Sequence, residues 1–387
     1  MSKQTILTGL QLIPSTGGTT KTIGLFQQAL NANVISFTEK KQVEYESTHL
    51  EHFKHIYVAE NFLGKHYSYA SGDNLKEAEA IAKNANLITC HVMLRYHVHW
   101  VRHMSKKLDI PYWFIPHGQL DPYVYTYRSF IKKIWLSVFG KRFMRQASCV
   151  IFATEKERKK ASWVYNGDNS TVIHWPVDLI PLEQKNHFRD GVRHALGADH
   201  NDLIFLYLGR LHSMKKPLDT IQAFAEANIR NAHLVLAGPE SDVSYESCRR
   251  LIRSTGLSRH IHMVGPLNGT DKEKYLLASD AFVSLSNREN FGHSAAESLA
   301  AGTPVILSPG NDLSDELNDY DCGIFLEDNT AETARKGFIS FSSIPEASRI
   351  EMGYRGRNFI YKKCSFDSFQ RALIRLREKS ILDHSNR

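Results

Sequence analysis

The stretch that most constrains this chain runs from Asp280 to Leu307. Asp280-Ala-Phe-Val-Ser-Leu285 is apolar and β-prone. A polar loop follows from Asn287 to Gly292, then a helix-prone run from Ser294 to Ala301 that stops at Gly302, then a second β-rich run from Thr303 to Leu307. Strand, loop, helix, strand is a βα unit feeding a parallel neighbour. The loop leaves a strand end and enters a helix, so it is expected at the carboxyl edge of the sheet. That edge is where open α/β sheets bind ligands.

Two carboxylates frame the loop. Glu289 precedes the helix and can reach outward to a ligand held over the strand ends. Glu297 lies about a turn inside the helix and can reach back to a group docked at its start. Between them, the amides near Phe291, Gly292 and His293 open the helix and have no partner in its own ladder. Such a helix start favours a phosphate, and Gly292 lets the backbone approach it closely. A carboxylate for sugar hydroxyls, another for a ribose, and amides for a diphosphate between them would make a nucleotide-sugar pocket.

Glu289-x7-Glu297, with Phe291-Gly292 between the two and Ala301-Gly-Thr-Pro-Val305 after them, resembles the E-x7-E signature of the retaining glycosyltransferases of family GT4. The resemblance implies the GT-B fold: α/β, two Rossmann-like domains facing each other across a cleft, with a C-terminal helix crossing back to the N-terminal domain. Its boundaries are expected at 1–178 for an acceptor-binding domain, 179–365 for a nucleotide-sugar-binding domain and 366–387 for the returning helix. It also implies a donor-binding role for Asn290, Phe291, Gly292, His293 and Glu297, and places the transferred sugar against Glu289.

Five further stretches fit that reading. Leu203 to Leu208 is a buried-strand run that presents Gly209-Arg210, and Lys215 and Lys216 follow before a helix starting at Pro217, a favoured first-turn residue. Cations at a strand end can neutralise a diphosphate without a metal. The stretch resembles the family's G-R-L-x(3–4)-K motif. Arg210 matches it cleanly, while Lys215 and Lys216 each fit one spacing. In Pro111-Tyr-Trp-Phe-Ile-Pro-His-Gly-Gln-Leu-Asp-Pro122, similar enzymes place the histidine beside the reacting sugar, which assigns that role to His117; Asp121 shapes the turn. Gly17-Gly18 ends a loop between a strand from Thr5 to Leu12 and a helix from Lys21 to Leu30, where such enzymes hold a diphosphate or sugar. The loop Gly265-Pro266-Leu267, after a strand at His262, is expected to hold the nucleotide base. Thr154 and Glu157 follow a strand from Ser148 to Ala153 and are read as cleft contacts, Glu157 equally as support for its helix start.

The chain has 387 residues, enough for two α/β domains each with its own core. Its five cysteines are scattered without CxxC spacing, which fits reduced structural thiols rather than zinc or disulfides. The histidines of His91-Val-Met-Leu-Arg-Tyr-His-Val-His-Trp-Val-Arg-His103 lack the carboxylate that would complete a metal site, so they are read as surface or acceptor-facing. No metal and no cofactor beyond the nucleotide sugar are expected. The net charge of +7 favours acidic partners, but no nucleic-acid motif accompanies it. No apolar run is long enough to span a bilayer and no signal-peptide core opens the chain, so a cytoplasmic protein is expected. Tyr123 to Arg145 alternates aromatic and aliphatic residues with Arg128, Lys132, Lys133, Lys141, Arg142 and Arg145. It reads either as a basic helix lying on an anionic membrane or as a domain helix with one buried face.

The expected activity is retaining transfer of a sugar from a nucleoside diphosphate sugar to a saccharide or lipid-linked acceptor, in polysaccharide or glycolipid synthesis. The rivals are a GT-B-like phosphorylase, a sugar-nucleotide epimerase, and a catalytically silent nucleotide-sugar-binding protein.

Overall fold

The structure is a computed structural model that describes residues 4–10, 18–38, 53–57, 70, 72–126 and 129–386. Gly17, most of the loop that ends there, and Arg128 lie outside the described residues. The chain divides into two units: Met1–Pro176 with Phe366–Arg387, and Val177–Ser365.

The first unit holds strands β1 (Gln4–Leu10), β2 (Asn33–Thr38), β3 (Phe53–Tyr57), β4 (Ala85–His91), β5 (Tyr112–Ile115), β6 (Cys149–Phe152) and β7 (Ser170–Val172). They form one parallel sheet in the order β3-β2-β1-β4-β5-β6-β7. The strand order reverses between β1 and β4, as in a doubly wound Rossmann sheet. Strand β7 has three half-buried residues, too short a run to leave a pattern in the sequence. The helix Phe366–Ser385 belongs to this unit. Its Phe369 ring meets Phe26 edge-on at 5.1 Å, and its Ser380 hydroxyl accepts the Trp113 indole N–H at 2.9 Å. The helix thus closes one face of the first sheet with an aromatic cluster, as the fold expectation required.

Two sequence expectations fail in this unit. Tyr123 to Arg145 is not one helix. It is a 3-10 turn (Pro122–Tyr125), a helix (Ser129–Trp135), a π-turn (Leu136–Gly140) and a helix (Lys141–Gln146). The π-turn shifts the helical phase by one residue, so an apolar pattern read at 3.6 residues per turn does not persist across it. The histidines of 91–103 are not all on the surface either. His91 and His97 are fully buried, and only His99 and His103 are exposed.

The second unit holds β8 (Leu203–Leu208), β9 (Ala232–Ala237), β10 (Ile261–Gly265), β11 (Ala281–Ser284), β12 (Val305–Leu307) and β13 (Gly323–Phe325). They form a parallel sheet in the order β10-β9-β8-β11-β12-β13. Alternate residues of β8 feed two separate cores. Phe205 and Tyr207 pack into one, and Ile204 and Leu206 into the other. That two-sided burial is why β8 reads as an unbroken apolar run. The order reverses between β8 and β11, so the loops after those two strands flank the crevice where a doubly wound sheet takes its ligand. Those loops are Gly209–Lys216 and Leu285–Gly292.

Candidate functional site

The crevice of the second unit gathers most of the residues that the sequence singled out. Tyr207, buried near the end of β8, donates its hydroxyl to the Arg210 carbonyl at 2.8 Å and so fixes the turn that presents Arg210. Burial pushes that phenol far above its ordinary range, so it remains a donor. The Arg210 side chain is exposed and has no ion pair among the described residues. The turn is tight against its neighbour, since a Cβ on Gly238 would stand 1.9 Å from the Gly209 carbonyl oxygen. Gly209 itself lies under Lys215, whose Cδ would be 3.0 Å from an added Cβ.

The two lysines part company here. Lys215 Nζ lies 2.5 Å from Glu289 Oε2, with both side chains mostly enclosed. Lys216 takes a left-handed backbone, with φ of 52°, and its Nζ turns away to the Asn329 carbonyl at 2.7 Å and Asp219 at 3.6 Å. The structure therefore brings Lys215, and not Lys216, to Glu289.

Glu289 is held by its backbone. Its N–H donates to Gly310 at 2.7 Å and its carbonyl accepts from Asp312 N–H at 2.9 Å. The Asn287 N–H donates to the Met214 carbonyl at 2.8 Å, tying the loop after β11 to the loop after β8. Gly292 starts the helix His293–Ala300 at φ 73°, a conformation that favours glycine, and a Cβ there would stand 2.3 Å from Asn311 Nδ2. Gly292 supplies no side-chain cap, and its neighbours Ser294 and Ala295 open onto a small cavity shared with Lys215, Glu289 and Asn311. Such a helix start suits an anion. Phe291 is buried with its ring 5.1 Å from His293, and Asn290 is half-buried beside Glu289.

Glu297 lies on the same helix, and its Oε1 pairs with Lys272 Nζ at 3.0 Å. Lys272, Asn311 and Asp312 were not singled out from the sequence. The one available signal was position: Asn311 and Asp312 follow β12 at the carboxyl edge, where loops face ligands. The Gly265-Pro266-Leu267 loop leaves β10 at the same edge. Gly265 has φ 77° with open space where a Cβ would go, and Pro266 is exposed.

In the first unit, Gly18 opens the helix Gly18–Leu30 and is exposed. His117 sits after β5 with φ 50°, followed by Gly118 at φ 76°. Its Nε2 meets His91 Nδ1 at 2.9 Å. Burial drives the His91 pKa well below the ordinary imidazole value, so His91 stays neutral. Of the two readings of Glu157, the structure favours support of its helix start: the side chain does not reach outward. Its carboxylate is buried and accepts the Gly118 N–H at 2.6 Å and the Ala153 N–H at 2.7 Å. Thr154 caps the same helix by accepting the Glu157 N–H at 3.0 Å. Both residues therefore hold the His117 turn in shape. Asp121 accepts the Tyr123 N–H at 2.9 Å and pairs with Lys160 at 3.0 Å, which is the turn-shaping role expected of it. All five cysteines are buried and free.

Two doubly wound parallel sheets, one in each unit, define the fold. The fold is that of the GT-B glycosyltransferases. The chain superposes on HepE of Anabaena, solved with UDP and glucose, at a TM-score of 0.75 and 16% identity, covering 96% of this chain and 98% of that one. It superposes on the sucrose-phosphate synthase of Thermosynechococcus elongatus at a TM-score of 0.74 and 21% identity, covering 97% and 98%. Residues 188–359 match the family described as Glycosyl transferases group 1. A curated relative, described as an uncharacterized glycosyltransferase of Methanocaldococcus jannaschii, is 27% identical over 241 residues, which is 60% of this chain and 56% of the relative. A D-inositol 3-phosphate glycosyltransferase of Mycobacterium sp. (strain KMS) is 27% identical over 196 residues, 49% of this chain and 44% of the relative. The chain thus spans about half the length of the curated relatives it matches.

Proposed function

We propose that this protein is a retaining glycosyltransferase that moves a sugar from a nucleoside diphosphate sugar to an acceptor hydroxyl in polysaccharide or glycolipid synthesis. The bond from the anomeric carbon to the diphosphate breaks and a bond to the acceptor oxygen forms on the same face. The acceptor proton ends on the released diphosphate or in solvent. The observation that carries this reading is the cluster at the ends of β8 and β11. Exposed Arg210, the Lys215–Glu289 pair and the uncapped helix start at Gly292 form a fixed positive field beside a carboxylate suited to sugar hydroxyls. Fixed donors aimed at developing charge stabilise a departing diphosphate without reorganising. In this reading Glu289 positions the sugar, Glu297 exchanges its Lys272 contact for the ribose, and Gly265-Pro266-Leu267 hold the base. Asn290, Phe291 and His293 complete the donor loop, Gly209 and Gly18 admit the ligand close to the backbone, and His117 contacts a hydroxyl. The cations take the part that a metal plays in other transferases, so no metal is required. HepE of Anabaena was solved with UDP and with UDP-glucose, which supports uridine as the first base to try.

The test is calorimetry with UDP, GDP, ADP and CDP, with and without EDTA. One nucleotide, expected to be UDP, binds in the micromolar range, is indifferent to EDTA, and loses affinity about tenfold or more in Arg210→Ala, the worth of a charge-assisted hydrogen bond. If none of the four binds, the nucleotide-sugar reading fails. If EDTA abolishes binding, the metal-free part fails.

A membrane-bound acceptor is supported by one surface of the first unit. Among the described residues no helix is long and apolar enough to cross a membrane. Yet Phe130, Ile131 and Val138 are 76%, 69% and 75% exposed, next to Lys132, Lys133, Lys141 and Arg142. Large apolar side chains among cations suit an anionic bilayer surface. Vesicles containing anionic lipid are expected to retain the protein, and Phe130→Ser with Val138→Ser to release it. Equal recovery from anionic and neutral vesicles would remove the membrane from the proposal.

A further inference from the structure

A second cavity, of about 290 Å³, lies in the same unit at the opposite edge of the sheet. Its floor is Ser279 and Asp280, immediately before β11, and Gly302 and Pro304, before β12. The Arg210 and Glu289 loops leave the other ends of β8 and β11, so the two places do not overlap. The volume is near the lower end for a small-molecule site.

Its lining sets three cations, Lys185, Arg189 and Arg349, against two carboxylates, Asp280 and Glu346. Asp280 is already bound twice, by Arg189 at 3.0 Å and Arg193 at 3.1 Å, and its Oδ2 also accepts the Ile204 N–H at 2.8 Å. That carboxylate has little left to offer another cation. Lys185 nonetheless lines the cavity, and its ammonium has no ion pair among the described residues. Burial lowers its pKa and Arg189 pushes the same way, and Asp280, already paired to two arginines, only partly opposes them. Arg349 enters from the helix Glu346–Lys363 and spends one N–H on the Ile344 carbonyl. The mouth is apolar: Ile350 and Tyr354 on that helix stand 49% and 58% exposed. Cations inside, with an aliphatic and an aromatic side chain at the rim, are complementary to an anion carried on an apolar or ring-shaped body.

We infer that this cavity binds a small phosphate- or carboxylate-bearing molecule, its anion between Lys185 and Arg349 and its body against Ile350 and Tyr354. The site is separate from the proposed donor pocket and does not depend on that reading. Asp280 with Arg189 and Arg193 has a structural task, and Arg349 is steadied by the Ile344 carbonyl and the Phe341 ring. Lys185 and the exposed rim are left for a ligand.

Phenyl phosphate, inorganic phosphate and phenol serve as probes, read by calorimetry and thermal shift on the full chain. Phenyl phosphate is expected to bind best, inorganic phosphate more weakly, and phenol not measurably. Lys185→Met should weaken phenyl phosphate about tenfold or more, and Tyr354→Ser should erase its advantage over inorganic phosphate. Lys185 is partly open to solvent and makes no ion pair among the described residues, so the variant should fold, and an unchanged melting temperature without ligand confirms it. Arg210→Ala should leave phenyl phosphate binding intact. Absence of binding, or equal binding by wild type and Lys185→Met, overturns the proposal. So does binding that is lost in Arg210→Ala or displaced by UDP, which would put the probe in the donor pocket. Failure of UDP to bind while phenyl phosphate behaves as described would count against the donor reading alone.

Discussion

Replacing Lys215 with alanine is expected to lower the rate of glycosyl transfer about 100-fold, the loss typical of one preorganised transition-state donor. Its Nζ stands 2.5 Å from Glu289 Oε2, and its stem runs over Gly209 at the end of β8. In the proposed function the ammonium has two tasks: to meet the diphosphate as charge develops, and to neutralise Glu289 until it does. Without it the Glu289 carboxylate faces the diphosphate as a like charge, so donor affinity falls as well as kcat. Lys215→Ala combined with Glu289→Gln should then bind UDP better than Lys215→Ala alone, without recovering kcat. Lys216 supplies the contrast. Its ammonium is committed to the Asn329 carbonyl and to Asp219, so Lys216→Ala should change kcat by less than about tenfold, which is about 1.4 kcal/mol. Steady-state kinetics on the three variants, with nucleotide affinity by calorimetry, decide the matter. If Lys216→Ala is the inactive variant and Lys215→Ala is not, the roles given to the two lysines are reversed.

Why the sequence left those lysines undecided is physical. They are adjacent, equally charged, and both fit a spacing. What separates them is the left-handed backbone at Lys216, which sends the two side chains in different directions. Neither residue type announces that conformation. By contrast Leu203–Leu208 and Ala281–Ser284 were legible because strands buried on both faces are unbroken apolar runs bounded by polar turns. The helix His293–Ala300 was legible because Gly292 and Gly302 bracket it. Lys272 was not, since its value lies in reaching Glu297 from a different helix, and any surface lysine looks the same in sequence. Glu157 stood open between a cleft contact and support for its helix start, and burial decides for the second. A carboxylate three residues after a threonine is a common capping signature, but here the carboxylate is buried under Gly118 and Ala153. His91 and His97 misled because histidine is amphipathic. Only the fold reveals that their rings pack beside Phe26 and Phe37.

Those buried histidines carry the second large effect, a steep loss of stability as pH falls from about 6.5 to about 4. His97 is fully buried, with Nε2 at 2.9 Å from the His91 carbonyl, and burial lowers its pKa to about 4. His91, beside it, is pushed well below the ordinary value by burial and then by His117 and His97. In the second unit, burial and the neighbouring His233 lower His262 to about 4, and burial lowers His233 as well. The sign follows from where each proton binds. Above the ordinary imidazole value both folded and unfolded chains are neutral at these sites and pH has no effect through them. Between that value and the folded one, only the unfolded chain takes up the protons, so stability is lost as pH falls. For His97 alone the full loss is about 3 kcal/mol, a large part of the roughly 5–15 kcal/mol that holds a domain folded. Carboxylates act later. Glu79, lowered chiefly by its hydrogen bond to Lys107, loses its stabilisation only as pH falls below its ordinary value of 4.5. Urea unfolding midpoints from pH 7.5 to 4.5 should therefore drop before the carboxylates titrate, and the drop should be shallower in His97→Gln, which keeps a donor for the His91 carbonyl without the titrating ring. A midpoint that stays level down to pH 4.5 would mean that these histidines take up protons in the folded protein, and that their burial does not hold them neutral.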